Sequence, residues 1–295
     1  MTNTWELVQN EQALLGESPS WDTEKEVIYW IDSKKGNLHL FNPINNKKET
    51  IQIAEHIGCV VPKNKKEVIL AAQSGIYSFQ VGSKNKKLIS SPKFHKENIF
   101  NDGKCDPKGR FWIGTVNSVD ANKFTGELMC LNLDGDITTK LHSIGCSNGI
   151  TWSPDYTIMY YIDTLSYQIV AFDYDLDSGA ISNQRIVVRI PDKYKLPDGM
   201  SGDVEGMLWV AHWGANQICR WNPYTGKLIE SIWFPAPHIT SCVFGGKNLS
   251  ELYVTSARKG LSKEELEEFP YSGGLFRIKL DVQGLPTHYF SENIV

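Results

Sequence analysis

Asn98 to Thr115 reads NIFNDGKCDPKGRFWIGT, and this stretch decides the fold. Asp106-Pro107-Lys108-Gly109-Arg110 is a tight turn, because Pro presets one backbone angle and Gly accepts a positive one. Phe111-Trp112-Ile113 then reads as a strand. Ahead of the turn, Asn101 and Asp102 put two oxygen-bearing side chains at the start of another short strand. The unit is therefore a polar residue, a short strand, a turn and an aromatic or apolar strand.

That unit recurs. Turns near residues 21, 62, 105, 152, 202 and 244 lead into Val27–Asp32, Val68–Ala72, Phe111–Thr115, Met159–Asp163, Leu208–Ala211 and Leu252–Thr255. The period of roughly 41 to 50 residues gives room for four strands each, as a propeller blade requires. Outer strands such as Glu49–Ile53 and Ile186–Ile190 are bounded by Asn-Pro, Asp-Gly and Thr-Gly turns. Helical pattern is confined to Leu261–Phe269, where Ser262 and Glu265 form a capping box and Pro270 ends the run. The expected fold is all-β: one six-bladed β-propeller domain over residues 1–295, with four-stranded antiparallel blades around a central channel. Glu6–Leu14 is expected to close the ring in the last blade, since an open ring leaves bare sheet edges.

Counting back five residues from the turn position held by Asp22 reaches the start of each innermost strand, where a propeller lines its channel. The residues there are Glu17, Gly58, Asn101, Asn148 and Asp198, with the sixth near Thr240 and Ser241. Each polar residue alone has a bland reading, since Asn-Gly and Asp-Gly are common turn pairs. Together they converge on one axis, where two carboxylates repel each other unless a cation sits between them. A hard divalent ion fits oxygen ligands: Ca2+ first, with Mg2+, Mn2+ or Zn2+ as alternatives.

The remaining composition narrows the partners. With 295 residues and a formal net charge of −4, nucleic acid and anionic membranes are not expected partners. The opening residues MTNTWELVQNEQ lack a basic start and an apolar core region, so a cytoplasmic location is expected. The six cysteines contain no CxxC and are expected to be reduced. No Gly-rich phosphate loop, GxSxG elbow or HExxH is present. His212 and His238 are candidates for a pocket wall.

At GESPSWD (Gly16–Asp22), FNDGKCDPKGRFWIGT (Phe100–Thr115), SNGITWSPD (Ser147–Asp155), PDGMSGDVEGMLWVAHWG (Pro197–Gly214) and TSCVFGGKNLSELYVTSA (Thr240–Ala257), the chain resembles the senescence marker protein (regucalcin)/gluconolactonase/luciferin-regenerating enzyme family. The resemblance spans about residues 12 to 285. It implies a six-bladed propeller with one divalent metal, held here by Glu17, Asn148 and Asp198, with Asn101 as a further ligand or a substrate contact. It also implies hydrolysis of sugar lactones or other esters. Two positions depart from the family pattern: Ile99 stands where an Arg is frequent, and Val119, with Asp120 beside it, where an acid is expected. Both would ordinarily meet substrate hydroxyls, so an apolar pair makes a drier pocket that discriminates polyols poorly.

The expected function is a divalent-metal-dependent lactone hydrolase acting on a small-molecule lactone, as a monomer or small homo-oligomer. The cation would polarise the carbonyl, Asp198 would act as general base, and Asn101, Ile99, Val119, Asp120 and His212 would contact substrate. The alternative is a non-enzymatic calcium-binding regulatory protein of the regucalcin type, although a single site in a rigid ring suits a switch poorly.

Overall fold

The computed structural model describes residues 4–291. It is built almost wholly of antiparallel strands in a β-propeller arrangement. Four four-stranded sheets are separate blades. Their innermost strands are Gly16–Asp22, Ile57–Pro62, Asn98–Cys105 and Ser147–Trp152, and their outermost are Lys47–Gln52, Asn85–Ser90, Ile137–Ile144 and Ala180–Arg189. The other eight strands form one sheet. In it, the group from Leu196–Gly202 to Lys227–Trp233 meets the group containing His238–Gly245, Glu251–Ala257, Leu275–Lys279 and Glu6–Gln9. Among the described residues, the strand pairing that joins the two groups is that of Trp213 with His238, whose rings stack 4.0 Å apart.

Burial explains the sequence pattern. Inner strands are packed on both faces, so Ile57–Pro62 is buried throughout, while Lys47–Gln52 at the rim exposes all but Ile51. The apolar core lies between neighbouring sheets. Cys59, Val61 and Ile69 of one sheet, for example, pack on Phe100, Phe111 and Ile113 of the next. Apolar residues are thereby drawn between sheets, and the axis is left to polar side chains.

The turn aspartates tie each hairpin together. Gly109 has φ +90°, and its N–H donates to the Asp106 carbonyl at 2.9 Å, as the Pro-Lys-Gly turn predicts. The fully buried Asp106 carboxylate accepts from the Lys108 and Arg110 N–H groups, both at 2.9 Å, from Trp112 Nε1 at 3.2 Å and from Tyr174 OH at 2.5 Å. It also pairs with the Arg110 guanidinium at 3.0 Å. Asp203 repeats the pattern with Glu205 and Met207 N–H, Trp209 Nε1 and Arg220.

Both ends of the chain contribute to closure. Glu6–Gln9 pairs with Leu275–Lys279, and Arg277 meets Glu6 at 2.7 Å. This is the closing strand the sequence predicts, shorter than Glu6–Leu14. Thr240 Oγ1 donates to the Gly16 carbonyl at 2.6 Å, linking the last inner strand to the first. Each of the six inner strands touches the next, and the last touches the first. The segment after Leu280 crosses one mouth of the channel. It is fastened by Leu285 N–H to Gly202 O, Phe290 N–H to Pro62 O and Tyr289 OH to Asp22. The short helix is Lys263–Glu268, with the Ser262/Glu265 capping box present. No described helix is long and apolar enough to cross a membrane.

Replacing Asp106 with Ala strands a buried guanidinium and an indole N–H. The expected loss is about 3–5 kcal/mol in denaturant unfolding. An unchanged midpoint and slope would show that this carboxylate does not hold the hairpin.

Candidate active site

Every inner strand breaks register where the repeat count falls. The shifts lie between Glu17 and Ser20, Ile57 and Cys59, Phe100 and Gly103, Ser147 and Ile150, Pro197 and Met200, and Ile239 and Ser241. Such bulges bend a strand and re-aim its side chains. Asn101, Asn148 and Asp198 lie within these shifts and Glu17 at the edge of one. The second strand places Gly58 at this position because there is no space for more. A Cβ there would lie 2.5 Å from the Phe100 carbonyl carbon.

The four polar side chains form one constellation. Asn101 Nδ2 donates to the Ser147 carbonyl at 2.8 Å and to Asn148 Oδ1 at 3.2 Å. Asn148 Nδ2 donates to Thr164 Oγ1 at 2.8 Å, and Thr164 Oγ1 donates to the Pro197 carbonyl at 2.8 Å. These bonds fix both amides, and Asn148 Oδ1, which accepts from Asn101, keeps one further lone pair. Glu17 Oε2 accepts from the Ser18 N–H at 3.2 Å. Asp198 is 5 % exposed, and its Oδ1 is buried with no hydrogen-bond partner.

The charges are mutually unfavourable. Burial, then the charge of Asp198, then that of Asp102 push the Glu17 carboxyl well above its ordinary range. Burial and the charge of Asp102 do the same to Asp198. Asp102 is itself raised by burial, partly offset by Lys104. Asp102 is a carboxylate beside this set that the repeat count passes over. It shares the Phe100–Gly103 bulge with Asn101, so the Asn-Asp pair in the quoted stretch is the signal that marks it.

Glu17, Asn148 and Asp198 could hold a cation. All their donors are oxygen, and the orphaned Asp198 Oδ1 supplies what a hard divalent ion requires. Among the described residues no group of three or more His, Cys, Asp and Glu is gathered closely enough to hold a metal, so the amides are essential to this set. Cys146 lies beside it, its Sγ 3.7 Å from both amide nitrogens, with burial holding the thiol protonated.

The other candidate contacts are more scattered. Ile99 is half-buried at the start of the same inner strand, opposite Val116. Val119 is 72 % exposed on the loop that follows, and Asp120 caps the short turn Ala121–Lys123 by accepting from the Asn122 N–H. His212 is fully buried. It packs against Tyr194, accepts from Trp221 Nε1 at 3.3 Å, and burial lowers its pKa to about 4. All six cysteines are free thiols.

The raised carboxyls predict how the metal-stripped protein responds to pH. Glu17 and Asp198 bind protons more tightly folded than unfolded. Their contribution is fully present below the ordinary carboxyl range near pH 4 and declines as pH climbs toward their raised values. Chelator-treated wild type should therefore lose melting temperature as pH rises above about 4, relative to a Glu17→Gln/Asp198→Asn variant. Parallel profiles would contradict the repulsion.

Comparison with known proteins follows this geometry. Residues 15–258 match the family described as SMP-30/Gluconolactonase/LRE-like region. The chain is 37% identical over 279 residues to YvrE of Bacillus subtilis (strain 168), provisionally named a sugar lactone lactonase, covering 94% of this chain and 95% of that protein. It is 36% identical over 301 residues to Bos taurus regucalcin, covering 97% and 98%. The fold superposes on a regucalcin from Agrobacterium tumefaciens with a TM-score of 0.93 at 23% identity, covering 98% of this chain and 97% of that one. The chain belongs to the SMP-30/gluconolactonase/LRE-like family.

Proposed function

We propose that this protein hydrolyses lactones with the help of one divalent cation held by Glu17, Asn148 and Asp198. The observation that carries this reading is the convergence of two repelling carboxylates and two fixed amides, with Asp198 Oδ1 left unpaired. When bound, the cation supplies Lewis-acid polarisation of the ester carbonyl and acidifies water. Asp198, at the edge of the set, takes the proton released as water adds. Asn101 directs both Nδ2 hydrogens at Ser147 and Asn148. Its oxygen therefore faces the site as an acceptor or ligand, and an oxyanion would find no donor there. Membership of a family that includes a protein named as a sugar lactone lactonase supports the reaction class.

The architecture supporting this reading is a single domain over residues 1–295 with six blades. The eight-stranded sheet then counts as two blades joined through Trp213 and His238. The closed cycle of six inner strands supports that count. Ile99, half-buried on the strand that carries Asn101, favours lactones with few hydroxyls, because its side chain cannot pair with a polyol. His212 acts from behind the pocket wall, where its neutral ring holds Trp221 in place.

Asp198→Ala is expected to lower kcat by about 10²–10⁴-fold, the usual size of a lost general base, with the circular dichroism spectrum unchanged. Full activity in that variant would remove Asp198 from the mechanism.

A further inference from the structure

Two residues that hold the constellation also root the walls of a cleft outside it. Thr164 bonds the Asn148 side chain, and the short turn Thr164–Ser166 that it opens ends in Tyr167. On the next inner strand, Leu196 stands two residues before Asp198 and pairs opposite Trp213. Directly opposed residues of an antiparallel pair point to the same face. Tyr167, Leu196, Trp213, Gly214 and Lys195, with Asp192, line a cleft of about 360 Å³. Two residues of extended strand span about 7 Å, so the Leu196 wall starts that far from the Asp198 backbone.

The walls are fixed. Trp213 lies against the His238 ring, 4.0 Å away and 11° from parallel, and the Gly214 and Asn216 N–H groups both donate to the Pro237 carbonyl. Tyr167 and Lys195 have φ of 54° and 57°, the region that favours glycine. Gly or Asn ordinarily ends such a turn. A Tyr there, 41 % exposed, keeps a backbone strain that the turn itself does not require. Its ring supplies apolar wall instead. The stem of Lys195 runs beside Gly214, where an added Cβ would lie 3.6 Å from the Lys195 Cβ and Cγ. The charged ends of Asp192 and Lys195 belong to exposed residues. A polyol gains little from two rings and a leucine, whereas an alkyl chain gains with every methylene it buries. The volume suits a chain of several carbons.

Resting on the proposed lactone hydrolysis, we propose that this cleft receives the alkyl chain of a substituted lactone, and that Tyr167 and Trp213 set the chain-length preference. The test is steady-state hydrolysis by the full chain, with a divalent ion present, of γ-lactones whose side chain grows from methyl to hexyl. Wild-type kcat/KM should rise roughly threefold to fourfold for each added methylene until the cleft is filled, chiefly through KM. Tyr167→Ala and Trp213→Ala should each cut the hexyl-to-methyl ratio of kcat/KM by about tenfold or more. Tyr167→Phe, which keeps the ring, should hold the ratio. A general loss of structure would lower every chain length alike and leave the ratio where it was. A wild-type ratio near one, or an unchanged ratio in both alanine variants, overturns the subsite while short lactones are still hydrolysed. No turnover of any lactone overturns the hydrolase reading and the subsite with it. If Trp213→Ala does not fold, the exposed Tyr167 decides: an unchanged ratio in Tyr167→Ala overturns the subsite.

Discussion

The repulsion between Glu17 and Asp198 is sustained by a ring that gives neither carboxylate anywhere else to go. Both stand on innermost strands, both lie within or at the edge of bulges, and both are driven above their ordinary pKa chiefly by loss of water. Left alone, an acidic pair of this kind would relax by opening the structure toward solvent. Opening is resisted wherever the ring could part. Glu6–Gln9 completes a sheet with Leu275–Lys279, Thr240 bonds the Gly16 carbonyl, and the segment after Leu280 is fastened to Gly202, Pro62 and Asp22. Buried turn aspartates such as Asp106 and Asp203 stiffen the hairpins that carry them.

Site and scaffold therefore use carboxylates in opposite ways. Asp106 and Asp203 are buried but meet Arg110 or Arg220, backbone N–H groups and an indole. Glu17 and Asp198 are similarly deprived of water but meet mainly each other and Asp102. A buried acid with paired donors stabilises a fold, whereas one without them holds its binding potential for a ligand. Asn101 and Asn148 add oxygens without adding charge: the Asn101 nitrogen is spent on the Ser147 carbonyl and Asn148 Oδ1, and the Asn148 nitrogen on Thr164. That division keeps the set close to what one divalent ion can neutralise.

Much of this was legible in the sequence because the bulge recurs at a constant distance from the turn. Counting back from Asp106 or Asp203 lands inside the bulge, and from Asp22 at its edge, so Glu17, Asn101 and Asp198 emerge without knowledge of the fold. The closing strand and the Ser262/Glu265 cap were equally readable, since each is a local pattern. Asp102 escaped because a single-position count cannot see that the Phe100–Gly103 bulge holds two residues. The joining of eight strands into one sheet runs through the Trp213–His238 strand pairing, a contact no periodicity encodes. Val119 and Asp120 lie on a loop whose path is set by the Asn117 and Asp120 side-chain turns, so alignment to a strand end could not place them. Burial of His212 behind Tyr194 and Trp221 is likewise a property of packing between strands.

The most direct measurement is lactone hydrolysis by metal-stripped protein, followed with a pH indicator, with Ca2+, Mg2+, Mn2+ or Zn2+ restored one at a time. Aldonolactones and simple aliphatic lactones should be compared in the same series. The account predicts negligible turnover without metal and recovery with at least one divalent ion, with aliphatic lactones accepted at least as well as sugar lactones. Hydrolysis undiminished by stripping, or none with any ion despite tight Ca2+ binding, would contradict it.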